Sequence, residues 1–268
     1  CLDSPPYWRT PIHPEYKAGR QKDPEWAVIY KWGLERLALD GYNVARAAYE
    51  ESDDVIATLA RVYTTGDDAT GPGYGCKDVR IVSEDKDLLQ LVDDNVRVFV
   101  ARERGEFEIR DADWVTKHFG NVNWAAEKQQ KVGPTPAEVP LVQAICGDAS
   151  DKIPGIKGIG IKGAVALVKT YGNPEGMAGG LVAEANSCKM KGKELSAFWR
   201  NFAAGMAEIP KWLALTTLAT DVQLDKHPLK YLEHIEPRQL VAEEPSDADD
   251  SAFVDELPSE PTSEELEE

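Results

Sequence analysis

The sequence predicts an α/β domain with a mostly parallel sheet and helices on both faces, followed by a domain built from helices alone. Three observations carry this. β-branched runs alternate with helical patterns over the first 120 residues, strand signals then cease, and a polar, Pro/Gly-punctuated connector at 121–134 separates the two parts. An alternation of this kind gathers functional groups at the carboxyl ends of the strands.

Asp23-Pro24 marks a helix start, and Trp26, Tyr30, Leu34 and Leu37 recur at helical spacing as far as about Asp40. Gly41 stops that helix, and Val44 to Ala48 read as a short strand. Glu51 to Tyr63 form a second helix with Val55, Ile56, Leu59 and Tyr63 on one face. Residues 65–77, rich in Gly, Asp and Thr, read as a loop. Asp78 to Ser83 are a strand, Asp87 to Leu91 a short helix, and strands follow at Val96 to Val100 and Glu106 to Arg110. Beyond the connector, Thr135 and Glu138 have the spacing of a capping box ahead of a helix that reaches Ile145. A Gly/Pro-rich turn leads to a helix over Lys162 to Tyr171, and helices at Leu195 to Ala207 and Pro210 to Leu218 complete the second domain. The predicted organisation is therefore 1–120, 135–241 and a disordered acidic tail over 242–268.

The composition excludes several classes. With 268 residues, 42% hydrophobic and 29% charged, and no apolar run near 18 residues, the chain reads as soluble and globular, with no membrane partner. Cys1, Cys76, Cys146 and Cys188 show neither CxxC nor Cys/His spacing, which argues against a zinc site or a disulfide framework and for a reducing cytoplasm. The formal charge is −17, but residues 242–268 hold twelve carboxylates and no Lys or Arg, so the remainder carries −5. Acidity concentrated in this way does not exclude a phosphate-bearing partner. The chain opens on Cys1 without a basic, apolar leader, and reads as a break in a longer polypeptide rather than a signal peptide.

Four segments set acids where a loop or helix start would expose them: Asp3; Glu51, Asp53 and Asp54; Asp85 and Asp87; Asp148 and Asp151. Each group alone is explained by helix capping, since a helix N-terminus favours carboxylates. Taken together, in three segments that border hydrophobic runs, they fit two-metal phosphodiester hydrolysis. In that chemistry Mg²⁺ ions roughly 3.5 to 4 Å apart activate a water and stabilise the leaving oxygen. Hard oxygen donors suit Mg²⁺, with Mn²⁺ as a substitute.

The segments ESDDVIATLA, IVSEDKDLLQL and ICGDASDKIPGIKGIGIKGA resemble, in order and spacing, the signature segments of the 5′ nuclease family. That family includes the 5′→3′ exonuclease domain of DNA polymerase I, stand-alone phage exonucleases and flap endonucleases. The resemblance runs from Asp3 to about Leu224. It implies a PIN-like nuclease layer and two divalent metals held by Asp3, Glu51, Asp53, Asp54, Asp85, Asp87, Asp148 and Asp151.

In PGIKGIGIKGA, Gly155, Gly158, Gly160 and Gly163 permit a sharp turn ahead of a helix N-terminus, and Lys157 and Lys162 add charge, the features of a phosphate cradle. A tight turn and nothing more is the plainer reading, but the string follows no strand, so a dinucleotide fingerprint does not fit. The segment resembles the family's helix-three-turn-helix, which grips duplex DNA through Gly155, Lys157, Gly158, Gly160 and Lys162 and can include K⁺ at the turn.

Upstream, rings and cations interleave from Tyr7 to Lys22, a mixture suited to single strands, although a solvated surface loop would look alike. PEYKAGR resembles the entry to the family's helical arch. This implies that Lys17 and Arg20 contact the scissile phosphate as catalytic groups and that Tyr16 stacks on a base. His13 reads as a surface residue. The family's first strand and its Asp are not seen before LDS, and 65–77, 121–134 and the acidic tail read as additions.

The expected function is a monomeric Mg²⁺-dependent 5′→3′ exonuclease and 5′-flap endonuclease acting on DNA flaps, nicks or RNA primers in replication and repair. A stand-alone phage-type enzyme is favoured over a polymerase fragment. The alternatives are a structure-specific DNA-binding protein that no longer cuts and a PIN-type ribonuclease. The tail is a candidate contact for a replication protein, with solvated disorder as its plainer reading.

Overall fold

The computed structural model describes residues 1–19, 24–65, 67–68, 71–72, 74–119 and 133–224. The expectations placed on Arg20, on the connector 121–132 and on the tail 242–268 lie outside the described residues.

After α1 (Arg9–Ile12), the periodic segment that begins at Pro24 forms α2 (Pro24–Leu39), within a residue of its predicted end. α3 (Ser52–Thr64) starts where two acids flank Ser52, with the Glu51 N–H donating to Asp54 Oδ2 at 3.4 Å. The strand expected at 44–48 reduces to one parallel bridge between Leu2 and Arg46. Within the loop at 65–77, β1 (Asp67–Asp68) pairs antiparallel with β2 (Gly71–Pro72).

The central sheet has the order β3 (Val79–Val82), β4 (Val96–Ala101), β5 (Phe107–Arg110). β3 and β4 are parallel, with Ile81 opposite Val98, and the stretch between them carries a 3-10 turn at Asp87–Leu91. β4 and β5 are antiparallel, with Phe99 opposite Ile109. The reason is length. The five residues 102–106 can close a hairpin but cannot make the dozen-residue crossover that a parallel pair needs. Arg104 and Gly105 take positive φ (62° and 74°) to make that turn. The sheet is thus mixed.

Alternate residues of β4, Val96, Val98 and Val100, are buried, and with Ile81, Leu88 and Leu89 they meet Ala57 and Ala60 of α3. α4 (Ala112–Phe119), absent from the sequence reading, adds Val115 to this core.

In the second part a 3-10 turn (Pro136–Glu138) precedes α5 (Val139–Cys146), and the Thr135 N–H donates to Glu138 Oε2 at 2.7 Å as the capping-box spacing predicts. Every residue of α5 from Val139 to Ile145 is buried, and the helix packs against both α6 (Ile161–Tyr171) and α9 (Ile209–Thr216). α7 (Pro174–Met190) and α8 (Ala197–Gly205) close over the far side of α6, with Met177 and Phe202 fully buried. α7 escaped the sequence reading because Gly176, Gly179 and Gly180 lower its propensity and Met177 is its one buried residue, so no apolar stripe shows.

Candidate metal centre and nucleic-acid interface

The elements that carry acids meet beyond the carboxyl end of β3. Asp85 and Asp87 follow β3, where Asp85 Oδ1 accepts the Asp87 N–H at 2.9 Å and opens the 3-10 turn. Asp148 and Asp151 lie after α5 on a tight turn closed by the reciprocal bridge of Asp148 with Ile153. Asp87, Asp148 and Asp151, 64 residues apart in sequence at the extremes, each offer an oxygen within 4.8 Å of the others. Asp148 and Asp151 are buried, so water alone does not screen the trio's mutual repulsion.

The electrostatics extend the group. Burial, then the charge of Asp85, pushes Asp87 up to about 7, with the amide of Gln143 acting in the opposite direction. Asp53 is likewise raised to about 7 by burial and by Asp85, against the pull of Lys17. Asp148 goes the other way. Although burial opposes its charge, Lys86 and Ser150 hold its carboxyl below the ordinary range. Lys86 Nζ lies 2.8 Å from Asp148 Oδ2, while the Ser150 N–H and hydroxyl donate to Oδ1 at 2.9 and 2.5 Å. A buried Gln143 on α5 donates from Nε2 to Asp87 Oδ1 at 2.5 Å.

Three residues expected among the ligands are engaged elsewhere. Asp54 is fully buried, and both its oxygens are held by Arg9, at 2.7 Å (Nη2 to Oδ1) and 2.5 Å (Nη1 to Oδ2), with the Ala219 N–H adding 2.8 Å to Oδ1. Asp54, expected among the ligands, is here the anchor of a buried ion pair. Glu51 Oε2 accepts from Arg9 at 2.9 Å and from the Tyr16 hydroxyl at 2.8 Å, and Oε1 is paired with Lys17. Glu51 therefore faces protein cations at the border of the acid group. Asp3 Oδ1 accepts the Ser52 N–H at 2.7 Å, capping α3.

The arch-entry residues also divide. Tyr16, expected to stack on a base, is only 6% exposed, its ring among Ile153, Trp212 and Leu215. Its hydroxyl stays protonated, since burial and then Glu51 and Asp151 disfavour the phenolate. Lys17 turns at φ 52°, its backbone N–H donating to the Asp151 carbonyl at 3.2 Å and its ammonium reaching Glu51. His13 is not a surface residue. It is buried, edge-on to Trp212 at 5.2 Å, with Nε2 3.0 Å from the Lys152 carbonyl.

On the expected cradle, Lys157, Gly158, Gly160 and Lys162 are exposed together around the start of α6, whose N-terminal cap is Gly160. Gly155 behaves differently. A Cβ there would lie 2.3 Å from the Gly147 nitrogen, so its missing side chain lets two stretches of this chain touch rather than admit a ligand. This close approach sets the turn directly beside Asp148.

Gln143 and Lys86 carry no role in the sequence pattern, and Arg9 counts there only among the N-terminal cations suited to phosphate, whereas it is buried and spent on protein acceptors. Arg9 sits in a stretch that reads as surface, and its partners lie up to 208 residues away. Gln143 falls inside an apolar run, where a lone amide on a buried helix is the available signal.

A mixed sheet with carboxylates gathered at a strand end, joined to a helical unit with an exposed basic turn, supplies the parts that a phosphodiester-hydrolysing nuclease would need. The chain matches the family model described as the 5′-3′ exonuclease N-terminal resolvase-like domain over residues 1–120, and that described as the 5′-3′ exonuclease C-terminal SAM fold over 134–239. It belongs to the 5′-3′ exonuclease family, whose members are hydrolytic nucleases. Among curated relatives, DNA polymerase I of Lactococcus lactis subsp. lactis (strain IL1403) is 33% identical over 175 residues, 63% of this chain and 17% of that protein. DNA polymerase I of Bacillus subtilis (strain 168) is 34% identical over 163 residues, 60% of this chain and 16% of that protein. The chain thus spans about a sixth of the length of these relatives. Among solved structures, the T5 5′-exonuclease with divalent zinc bound has a TM-score of 0.58 at 21% identity, covering 81% of this chain and 72% of that one. The bacteriophage T5 flap endonuclease in a pseudo-enzyme-product complex with DNA and metal ions has 0.57 at 21% identity, covering 79% and 70%. These two share the fold.

Proposed function

We propose that the chain is a Mg²⁺-dependent 5′→3′ exonuclease and structure-specific 5′-flap endonuclease that hydrolyses DNA phosphodiester bonds at flaps, nicks and RNA primers during replication and repair in the cytoplasm. The observation that carries this reading is the approach of Asp87, Asp148 and Asp151 to within 4.8 Å of one another. Their donor set is all carboxylate oxygen, which fits a hard divalent cation such as Mg²⁺ or Mn²⁺ and disfavours a soft one. A divalent ion there supplies the charge that activates water and offsets negative charge on the leaving oxygen.

The chain's own residues do the rest. Asp53 and Asp85 add negative charge beside the trio, and Gln143 fixes the rotamer of Asp87. Lys17, tethered to Glu51 and to the Asp151 carbonyl, holds a cation at the rim, where a phosphate would meet it. Arg20 belongs to the same proposal by resemblance. Lys157, Gly158, Gly160 and Lys162 present two charges and the open start of α6 to the duplex backbone, a contact that positions without reading sequence. A K⁺ at this turn is part of the reading, and replacing K⁺ by tetramethylammonium should then weaken duplex binding.

The test is cleavage of a 5′-labelled flap duplex. Release of labelled product in Mg²⁺, abolished by EDTA and by Asp87→Asn while duplex binding persists, is the expected result. Binding without cleavage by the unaltered chain would return the non-cutting alternative. Cleavage of single-stranded RNA in preference to the flap would return the ribonuclease.

A further inference from the structure

Asp148 serves two masters. It belongs to the trio whose oxygens lie within 4.8 Å of one another, and it is also the ion-pair partner of Lys86 at 2.8 Å. Oδ1 already accepts two hydrogen bonds from Ser150 and Oδ2 carries the Lys86 ammonium, so a divalent ion drawn to Asp148 meets a cation on the one oxygen with room for it. The two claims differ in how readily they yield. Ser150 is two residues away on the same tight turn and holds Asp148 with a backbone N–H as well as a hydroxyl. Lys86 is a long, flexible side chain, 48% exposed, whose ammonium can swing into water and be rehydrated there, while Asp148 is 3% exposed and cannot follow. The backbone beneath Lys86 is fixed independently, because the Asp87 N–H is held by Asp85 and the Lys86 carbonyl by the Leu89 N–H at 3.1 Å. Only the side chain need move.

We infer that Lys86 is a built-in counter-ion that competes with the divalent metal for Asp148, so that metal binding requires its displacement and the site is tuned to weaker affinity than its carboxylates alone would give. This rests on the metal-centre reading proposed above and deepens it. The contrast with Gln143 supports the assignment. On Asp87 the partner is a neutral amide, which orients the carboxylate without offsetting its charge; on Asp148 the partner is a full cation, which does both. The turn Asp85-Lys86-Asp87 therefore carries two acids of the group together with their competitor.

The experiment uses the full 268-residue chain, Mn²⁺ as the probe, and the electron paramagnetic resonance signal of free Mn²⁺ as the readout, so no turnover is needed. Lys86→Met keeps the length of the stem and removes the charge. It should tighten Mn²⁺ binding roughly threefold to tenfold at low salt, the effect of losing one partly exposed ion pair. The gain should shrink as salt rises, and Lys86→Arg should stay within about twofold of the unaltered chain. The sign is diagnostic, because a merely structural loss would weaken binding. Equal or weaker Mn²⁺ binding by Lys86→Met overturns the inference and leaves the metal centre standing. Mn²⁺ binding that Asp87→Asn leaves unchanged overturns the metal centre itself, and the inference with it.

Discussion

Arg9 and Asp54 form a two-pronged ion pair with no access to solvent, Nη1 on Oδ2 at 2.5 Å and Nη2 on Oδ1 at 2.7 Å. The remaining guanidinium hydrogens go to Glu51 Oε2 at 2.9 Å and to the carbonyls of Leu215 and Thr217, both at 3.0 Å. All five donors of one arginine are thus used, joining α1, the first turn of α3 and the end of α9. Burial opposes the charge on Asp54, yet Arg9 holds its carboxyl below the ordinary range.

Removing one partner of such a pair leaves the other charged and dry, which costs roughly 3–5 kcal/mol. Arg9→Gln should therefore lower the melting temperature by on the order of 10 °C for a domain of this size. Arg9→Lys should not restore it, since an ammonium cannot span five acceptors in a plane. The Arg9→Met/Asp54→Leu double variant should recover much of the loss. Thermal unfolding of the three variants checks this. A melting temperature unchanged in Arg9→Gln would show that the pair contributes nothing.

The raised carboxyls of Asp53 and Asp87, each pushed to about 7, give a pH signature. Between the ordinary carboxylate value near 4 and about 7, the folded state binds more protons than the unfolded one. Stability in EDTA should then fall as pH rises through that window and level off above it. Asp54 and Asp148, held low, lose their contribution only below the ordinary range and do not interfere. A divalent ion needs the unprotonated carboxyls, so Mg²⁺ should raise the melting temperature more at pH 8 than at pH 6. Thermal scans at the two pH values, with EDTA and with Mg²⁺, read out both effects.

Sequence made the acid groups visible because each stands at an element boundary, where spacing is local. Helix limits for α2, α3, α5 and α6 came within a few residues for the same reason. What spacing could not show was how the acids divide. Asp54 and Asp53 are neighbours, yet one turns inward to Arg9 and the other stands beside Asp85, and the residue that decides this is 45 positions upstream. Tyr16 reads as a base-stacking ring and His13 as a surface residue because the wall that buries them, Trp212 and Leu215, comes from α9. The family resemblance likewise marks which residue types recur, not which side chains pair.

Gln143 offers a test of orientation. Its amide lowers the carboxyl of Asp87 against burial and the neighbouring acids. A hydrogen bond to a charged group contributes about 1.5–3 kcal/mol, and supporting residues around metal ligands typically account for about 10- to 100-fold in affinity. Gln143→Leu should weaken Mn²⁺ binding by about that factor at pH 6.5 and by much less at pH 9, where Asp87 is ionised regardless. Isothermal titration at both pH values separates this from a general loss of fold, which would weaken binding equally at each.

The exposed start of α6 is the last relationship open to direct measurement. Lys157 and Lys162 flank Gly158 and Gly160 and are exposed, whereas the carboxylates of Asp87 and Asp148 are held by Gln143, Ser150 and Lys86, so replacing the two lysines leaves those contacts in place. If each lysine neutralises one phosphate of duplex DNA, each should add about 0.9 to the slope of log affinity against log salt. Lys157→Ala and Lys162→Ala should each flatten that slope by about one, and the double variant by about two. Substitution should weaken every duplex sequence alike, since a backbone contact reads none of them. Fluorescence anisotropy of a labelled duplex across a salt series, run in Ca²⁺ to hold cleavage back, gives both numbers. A slope that does not change in the double variant would mean that the duplex lies elsewhere and that the turn after Asp148 serves only to bring Gly155 against Gly147.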